Sequence, residues 1–125
     1  LSFASFGTSK HQSSRKVSRA TEIVQHLRPD LEIDGEMQVD VALNEELRRK
    51  EFPFCRLQGN ANVFVFPDLA SANIGYKLLT YLGGAVPTGP ILVGIGKPAN
   101  VVQRSASIRE IVDLIHLTAH QSVRL

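Results

Sequence analysis

Two stretches of this sequence have residue types and spacings that could support chemistry. Residues 94–99 read GIGKPA, which fits the G-x-G-x-x-A pattern of a dinucleotide-binding turn. That turn needs a helix to begin within the motif, so that the helix N-terminus meets the pyrophosphate. Pro98 interrupts the motif, and the next helix is predicted only from Ser107. We therefore reject a dinucleotide site; a loop that approaches some ligand through its backbone is the alternative.

The second stretch is the predicted C-terminal helix. His116 and His120 are four residues apart, so both rings can point the same way. A zinc protease would place Glu after the first His, where this chain has Leu117, and no spacing suggests a third ligand. Exposed histidines are the better explanation. At the start of the helix, Ser107 and Glu110 form an S-x-x-E capping box, which by itself explains both residues.

The remaining reactive groups predict no catalytic site. Asp34, Glu36 and Asp40 lie close together, but a calcium loop needs a denser alternation of oxygen ligands, so a solvated turn is expected. Cys55 is the single cysteine, which excludes an intramolecular disulfide and indicates a reducing, cytoplasmic compartment.

The elements that would position these groups alternate between strands and helices. Strands are predicted at residues 3–6, 31–33, 62–66 and 90–93, and the run 63–66 is continuously apolar, as in a strand buried on both faces of a parallel sheet. Helices are predicted to be capped near Ser13 or Ser14, near Asn44, at Asp68 and at Ser107. The predicted apolar face of the first helix consists of Val17, Ala20, Val24 and Leu27. That of the last helix consists of Ile108, Ile111, Val112, Ile115 and Ala119. This alternation predicts an α/β fold with a mainly parallel sheet in three α/β/α layers.

Composition sets the protein class. Hydrophobic residues make up 43% and charged residues 21% of the 125 residues, as in an ordinary globular protein. A net charge of +2 does not suggest a nucleic-acid partner, and no apolar run approaches membrane-spanning length. The chain begins without Met in a segment that alternates like a strand, so we expect a fragment of a longer protein.

A series of motifs resembles the C-terminal part of the phosphate acetyltransferase family over nearly the whole chain. The motifs are a DGE turn, an ANV segment ending in FPD, an ANIGYK segment, a GPILVG segment and a KP pair ahead of Arg104. They occur in the family's order, at residues 33–38, 61–68, 72–77, 89–94 and 97–104. Each motif alone is modest, but their ordered combination is specific.

The resemblance implies a set of site residues. In transacetylases of this family a Ser orients the acetyl phosphate, the following Arg stabilises its charge, and an Asp six residues later is the base toward the coenzyme A thiol. Here Arg104 is retained, Gln103 replaces the Ser, and Glu110 replaces the Asp with one more methylene. A base must lie within reach of its proton, and a misplacement of about 1 Å can cost on the order of a hundredfold in rate. Transacetylation is therefore not expected.

The family also includes the C-terminal domain of long bacterial malic enzymes, and residues 102–107 (VQRSAS) are similar to that branch, although Ser105 departs from the Gly of both branches. The resemblance implies a regulatory and oligomerisation domain that binds acetyl-CoA as an allosteric inhibitor. Malate would be oxidatively decarboxylated to pyruvate with NADP and Mg²⁺ or Mn²⁺ in an N-terminal part that is absent here. The implied acetyl-CoA contacts are Lys97, Pro98, Asn100, Gln103, Arg104 and Glu110.

The same resemblance predicts a two-lobed domain. Residues 1–88 would belong to the second lobe, and residues 89–125 would form the loop and C-terminal helix that return to the first lobe and line the cleft. A homo-oligomer is expected, without a metal, nucleic acid or membrane partner in this segment. Three alternatives stay open: an active phosphate acetyltransferase, a purely structural assembly module, and Lys97 as an ordinary exposed lysine.

Overall fold

The computed structural model describes residues 1–123 and shows five helices in them. They are α1 (Gln12–Leu27), α2 (Val39–Leu43), α3 (Glu45–Glu51), α4 (Leu69–Tyr81) and α5 (Ile108–Val123). The chain forms two compact units, Leu1–Gly75 and the part from Tyr76 onward. None of these helices is long and apolar enough to cross a membrane.

The four predicted strands are absent from residues 1–123, where no β-strand occurs. Residues 3–6 contain bends and turns, and their segment makes isolated backbone bonds, such as the one from Phe6 N to Glu36 O at 2.9 Å. A strand exists only through a ladder with a neighbouring strand, and the composition of a segment does not show whether that neighbour is present. The layered parallel sheet is therefore not seen in the described residues.

The core of the first unit is a small apolar cluster. Met37, Val41 and Ala42 are its buried members, at 1–3% exposure. Around them pack partly buried side chains from other segments of the unit: Leu1, Phe6, Leu47, Phe52, Cys55, Leu57, Ala61 and Phe64. Burial raises the pKa of the Cys55 thiol, so the sulfur is protonated at neutral pH and is a weak nucleophile.

A buried arginine holds α2 in place. The Arg48 side chain comes from α3 and donates from Nη1 to the carbonyls of Val41 and Ala42, at 2.6 and 2.9 Å, and from Nη2 to Gly59 at 2.5 Å. The first two carbonyls lie at the C-terminal end of α2 and have no partner within that helix. Among residues 1–123 no carboxylate pairs with Arg48, and its Nε has no hydrogen-bond partner. Arg48 is a structural residue that closes the end of α2.

Helix starts were predicted better than helix faces. Asn44 Oδ1 accepts from Leu47 N at 2.9 Å, and Asp68 Oδ1 accepts from Ser71 N at 2.8 Å, so the predicted caps of α3 and α4 are confirmed. The predicted start of α1 is wrong by a few residues, because the cap is His11, whose Nδ1 accepts from Ser13 N.

The buried face of α1 is centred on polar residues. Ser14 and Thr21 are its buried members, whereas Leu27 of the predicted apolar face is 68% exposed. Each hydroxyl has a local partner: Ser14 Oγ lies 3.1 Å from Ser2 Oγ, and Thr21 Oγ1 donates to Val17 O at 3.1 Å. Hydrogen-bonded hydroxyls can be buried at little cost, which is why the apolar periodicity misplaced this face.

The turn at residues 34–36 is not a solvated cluster of carboxylates. Glu36 is buried, and its Oε1 accepts from Gly7 N at 2.7 Å. Asp34 accepts from Gly35 N at 2.9 Å and from Arg56 N at 2.7 Å. The prediction of a solvated turn is wrong for these two carboxylates, because each satisfies backbone N–H groups that a sequence pattern cannot locate.

Candidate functional site

The capping box at the start of α5 forms as predicted. Glu110 Oε2 accepts from both Ser107 N and Ser107 Oγ at 2.7 Å, and Ser107 Oγ accepts from Glu110 N at 3.3 Å. The backbone and side-chain hydrogen bonds from Ser107 lower the pKa of the Glu110 carboxyl. A carboxylate with a lowered pKa and two donors already bound is a weaker proton acceptor than a free glutamate.

The glycine-containing loop has no helix at the place where a dinucleotide would require one. Gly94 lies in the left-handed region, with φ 77°, and α5 begins only at Ile108. His116 and His120 on that helix are exposed, as predicted. Residues 1–123 contain no group of three or more His, Cys, Asp or Glu side chains that could hold a metal ion.

An open groove of about 460 Å³ lies between this loop and α5. The α5 wall carries four apolar side chains: Ile111, Leu114, Ile115 and Ala119. The loop wall carries three: Pro98, Ala99 and Val102. The predicted buried stripe of α5 is wrong, because none of its five residues is buried and Leu114 is the buried residue of the helix. Ile111 and Ile115, at 36% and 60% exposure, border the groove.

Asn100 connects the loop to the helix from within the groove wall. Its Oδ1 accepts from Leu92 N, and its Nδ2 donates to Thr118 Oγ1 and to Gln121 Oε1, each at 2.9 Å. Thr118 Oγ1 in turn donates to Leu114 O at 2.7 Å. All three polar partners of the Asn100 amide are supplied by the protein.

The structure brings the predicted contacts together only in part. Pro98 and Asn100 line the groove. Lys97, Gln103 and Arg104 are exposed in the same loop, outside the groove lining. Neither Lys97 nor Arg104 forms a salt bridge within residues 1–123, so both charges are free to meet an anionic ligand. Glu110 lies in the capping box.

The polar partners of Asn100 were missed by sequence reasoning. Thr118 and Gln121 are three residues apart on the helix, so they lie on one face one turn apart. A polar pair at this spacing, next to the otherwise apolar face of α5, is the signal that could have identified them.

The chain is similar to phosphate acetyltransferases along almost its whole length. Residues 1–119 match the family described as "Phosphate acetyl/butaryl transferase". Phosphate acetyltransferase of Paracoccus denitrificans is 45% identical over 122 residues, which are 98% of this chain and 38% of that protein. NADP-dependent malic enzyme of Rhizobium meliloti is 40% identical over 122 residues, 98% of this chain and 16% of that protein.

A solved structure shares the fold of the chain. The EutD phosphotransacetylase from Staphylococcus aureus superposes with a TM-score of 0.89 at 40% sequence identity, over 98% of this chain and 38% of that one. This chain thus spans less than two fifths of the length of the phosphate acetyltransferases from Paracoccus denitrificans, Thermoanaerobacterium thermosaccharolyticum and Clostridium acetobutylicum.

Proposed function

Because the chain belongs to the phosphate acetyl/butyryl transferase family, we propose that it is the C-terminal part of the regulatory domain of an NADP-dependent malic enzyme and binds acetyl-CoA as an allosteric inhibitor. The observation that supports a binding role over a catalytic one is Glu110. It stands where the family resemblance places the base, and its carboxylate is held by Ser107 with a lowered pKa. The lobes at residues 1–88 and 89–125 and the homo-oligomer belong to the same proposal. So does the parallel α/β/α sheet, whose partner strands the rest of the longer protein would supply.

The groove and its surroundings suit the parts of acetyl-CoA. An apolar groove of about 460 Å³ is large enough for the pantetheine arm and the acetyl group. The cations of Lys97 and Arg104 are suited to the phosphates, with Gln103 as a polar contact, Pro98 as an apolar one, and the second carboxylate oxygen of Glu110 as an acceptor. The loop at residues 94–99 suits NADP poorly, because the next helix in the described residues begins only at Ile108. The proposal places NADP and the divalent metal outside this chain.

Titration calorimetry of the full chain with acetyl-CoA tests the binding role. Charge-assisted hydrogen bonds contribute about 1.5–3 kcal/mol, so Arg104→Ala should weaken the affinity about tenfold to a hundredfold. Arg109→Ala is the matched control, because its side chain is 78% exposed and lies 3.8 Å from Asp113 across one helical turn. Absence of binding by the unsubstituted chain at millimolar acetyl-CoA, or equal losses in the two variants, would refute the proposed site.

Allosteric inhibition needs a separate measurement, because a ligand regulates only if it binds two global states with different affinities. Malate-dependent NADPH formation by the complete protein should fall as acetyl-CoA is added, and Arg104→Ala should shift that curve to higher acetyl-CoA concentration. Binding without any change in NADPH formation would contradict the regulatory role.

A working phosphate acetyltransferase is the second candidate, supported by three such relatives at 44–46% identity. Coenzyme A and acetyl phosphate are mixed with the complete protein, and thioester absorbance is followed. The malic-enzyme proposal expects no increase above the rate without protein. An increase that Arg104→Ala abolishes would establish the transferase.

A further inference from the structure

Inside the protein, Asn100 uses both N–H donors of its amide and one of the two lone pairs of its oxygen. Its side chain is half-buried, and its amide has one acceptor oxygen and two N–H donors, which meet Leu92 N, Thr118 Oγ1 and Gln121 Oε1 at 2.9 Å. No N–H of this amide is left for a ligand.

The orientation of the amide follows from its partners. The backbone N–H of Leu92 can only donate, so it must face the oxygen of Asn100. The Thr118 hydroxyl gives its hydrogen to Leu114 O at 2.7 Å, so it must accept from the nitrogen of Asn100. If the amide were flipped, its nitrogen would face the N–H of Leu92 and its oxygen would face the accepting oxygen of Thr118. The hydrogen bonds at both ends of the amide would then be lost.

These bonds tie together three segments that are remote in sequence. Leu92 lies 8 residues before Asn100, whereas Thr118 and Gln121 lie 18 and 21 residues after it. Lys97 and Arg104, the two cations of the loop, are three residues before and four residues after Asn100. This amide therefore helps to fix the position of both cations relative to α5.

We propose that Asn100 is a positioning residue that fixes the loop at residues 97–104 on α5 and donates no hydrogen bond to the ligand. As far as it concerns acetyl-CoA, this inference rests on the proposed function above. It replaces the direct contact that the sequence predicts for Asn100. In this arrangement the ligand meets a loop that is already ordered, so less conformational entropy is lost on binding.

Substitutions that keep or remove the acceptor oxygen of residue 100 distinguish a positioning role from direct contact with the ligand. Asn100→Asp keeps the acceptor for Leu92 N, and the Thr118 hydroxyl and the Gln121 amide can both turn to donate to the new carboxylate. Asn100→Leu has nearly the same size and loses every bond. We expect acetyl-CoA affinity within about threefold of the unsubstituted chain for Asn100→Asp, and a loss of about tenfold to a hundredfold for Asn100→Leu, since three bonds of about 1 kcal/mol each order the loop.

A second pair of variants tests the link to the helix. Gln121→Glu keeps an acceptor for Asn100 Nδ2 and should leave the affinity nearly unchanged. The double variant Asn100→Asp with Gln121→Glu places two carboxylates face to face without a donor between them. It should weaken acetyl-CoA binding at least as much as Asn100→Leu does, so the two tolerated changes combine non-additively.

Hydrogen exchange at the Leu92 amide reports on the loop without any ligand. Its exchange should accelerate tenfold or more in Asn100→Leu and stay slow in Asn100→Asp, while the urea midpoint of the full chain shows whether the rest of the fold is intact. Unchanged Leu92 exchange in Asn100→Leu overturns the positioning role, whether or not acetyl-CoA binds. Equal losses of affinity in Asn100→Asp and Asn100→Leu, with Leu92 exchange still slow in Asn100→Asp, would instead show direct contact and overturn it too. If the unsubstituted chain binds no acetyl-CoA, the proposed function fails, and the link between Asn100 and that ligand fails with it.

Discussion

Replacing Arg48 by Met should destabilise the first unit. The change removes the donor to Val41 O and the donor to Gly59 O, whereas Ala42 O keeps a second bond, from Ala61 N at 3.0 Å. The Val41 carbonyl is buried and loses its partner, which costs about 1–3 kcal/mol, whereas Gly59 is exposed and its carbonyl can bind water instead. This cost is offset in part, because Met does not carry a buried charge. We expect a net loss of about 1–2 kcal/mol in the free energy of unfolding.

Urea unfolding of the full chain, followed by far-ultraviolet circular dichroism, measures this loss. Arg49→Met is the control on the same helix, because the Arg49 side chain is 79% exposed and pairs with Glu45 at the surface. An exposed pair contributes about 1 kcal/mol or less. Arg48→Lys should fall between the two variants, since one ammonium cannot reproduce the planar fork of the guanidinium. A loss below about 0.5 kcal/mol for Arg48→Met, or equal losses for Arg48→Met and Arg49→Met, would refute the reasoning.

Two further predictions concern helix caps. Asn44→Ala should lower the free energy of unfolding by about 1 kcal/mol, because Leu47 N loses its acceptor. Asn60→Ala is the control. Equal urea midpoints for the two variants would contradict the capping role of Asn44. Since the folded-state pKa of Glu110 is lowered, its contribution to stability is complete above the ordinary glutamate pKa and disappears as pH falls through the lowered value. An acid titration of helix content should therefore show a step that Glu110→Gln removes, and an identical titration in the Gln variant would refute the capping role.

The caps could be predicted from sequence because their chemistry is local. Asn44, Asp68 and Ser107 each bind a backbone N–H three residues ahead, so the residue and its partner fall in one short window. Asn44 also marks the break between α2 and α3, because it is the cap at which α3 begins. Only His11 was overlooked, because an imidazole is a less common cap than the serines that follow it.

What could not be predicted depends on groups that are distant in sequence. The backbone N–H of Gly7, which binds Glu36, lies 29 residues away, and that of Arg56, which binds Asp34, lies 22 residues away. The residues next to the DGE turn therefore do not indicate that these distant bonds form. The α5 stripe has the periodicity of a buried face, but periodicity does not show that the opposing surface leaves a groove open. Likewise, Asn100 has the composition of a loop residue, and its role becomes visible only with Thr118 and Gln121 beside it.

The short sequence separation between Arg48 and its acceptors has a consequence for the order of folding. Its three acceptors lie 6, 7 and 11 residues away, whereas the bond from the Leu1 amine to Val65 O spans 64 residues. Closing a short loop costs less entropy than closing a long one, so contacts near in sequence form earlier during folding. The segment that joins α2, α3 and Gly59 is thus suited to be the folding nucleus of the first unit, to which the N-terminal segment and the residues around Val65 attach later. A defect at Arg48 would slow the rate of folding more than it would speed unfolding.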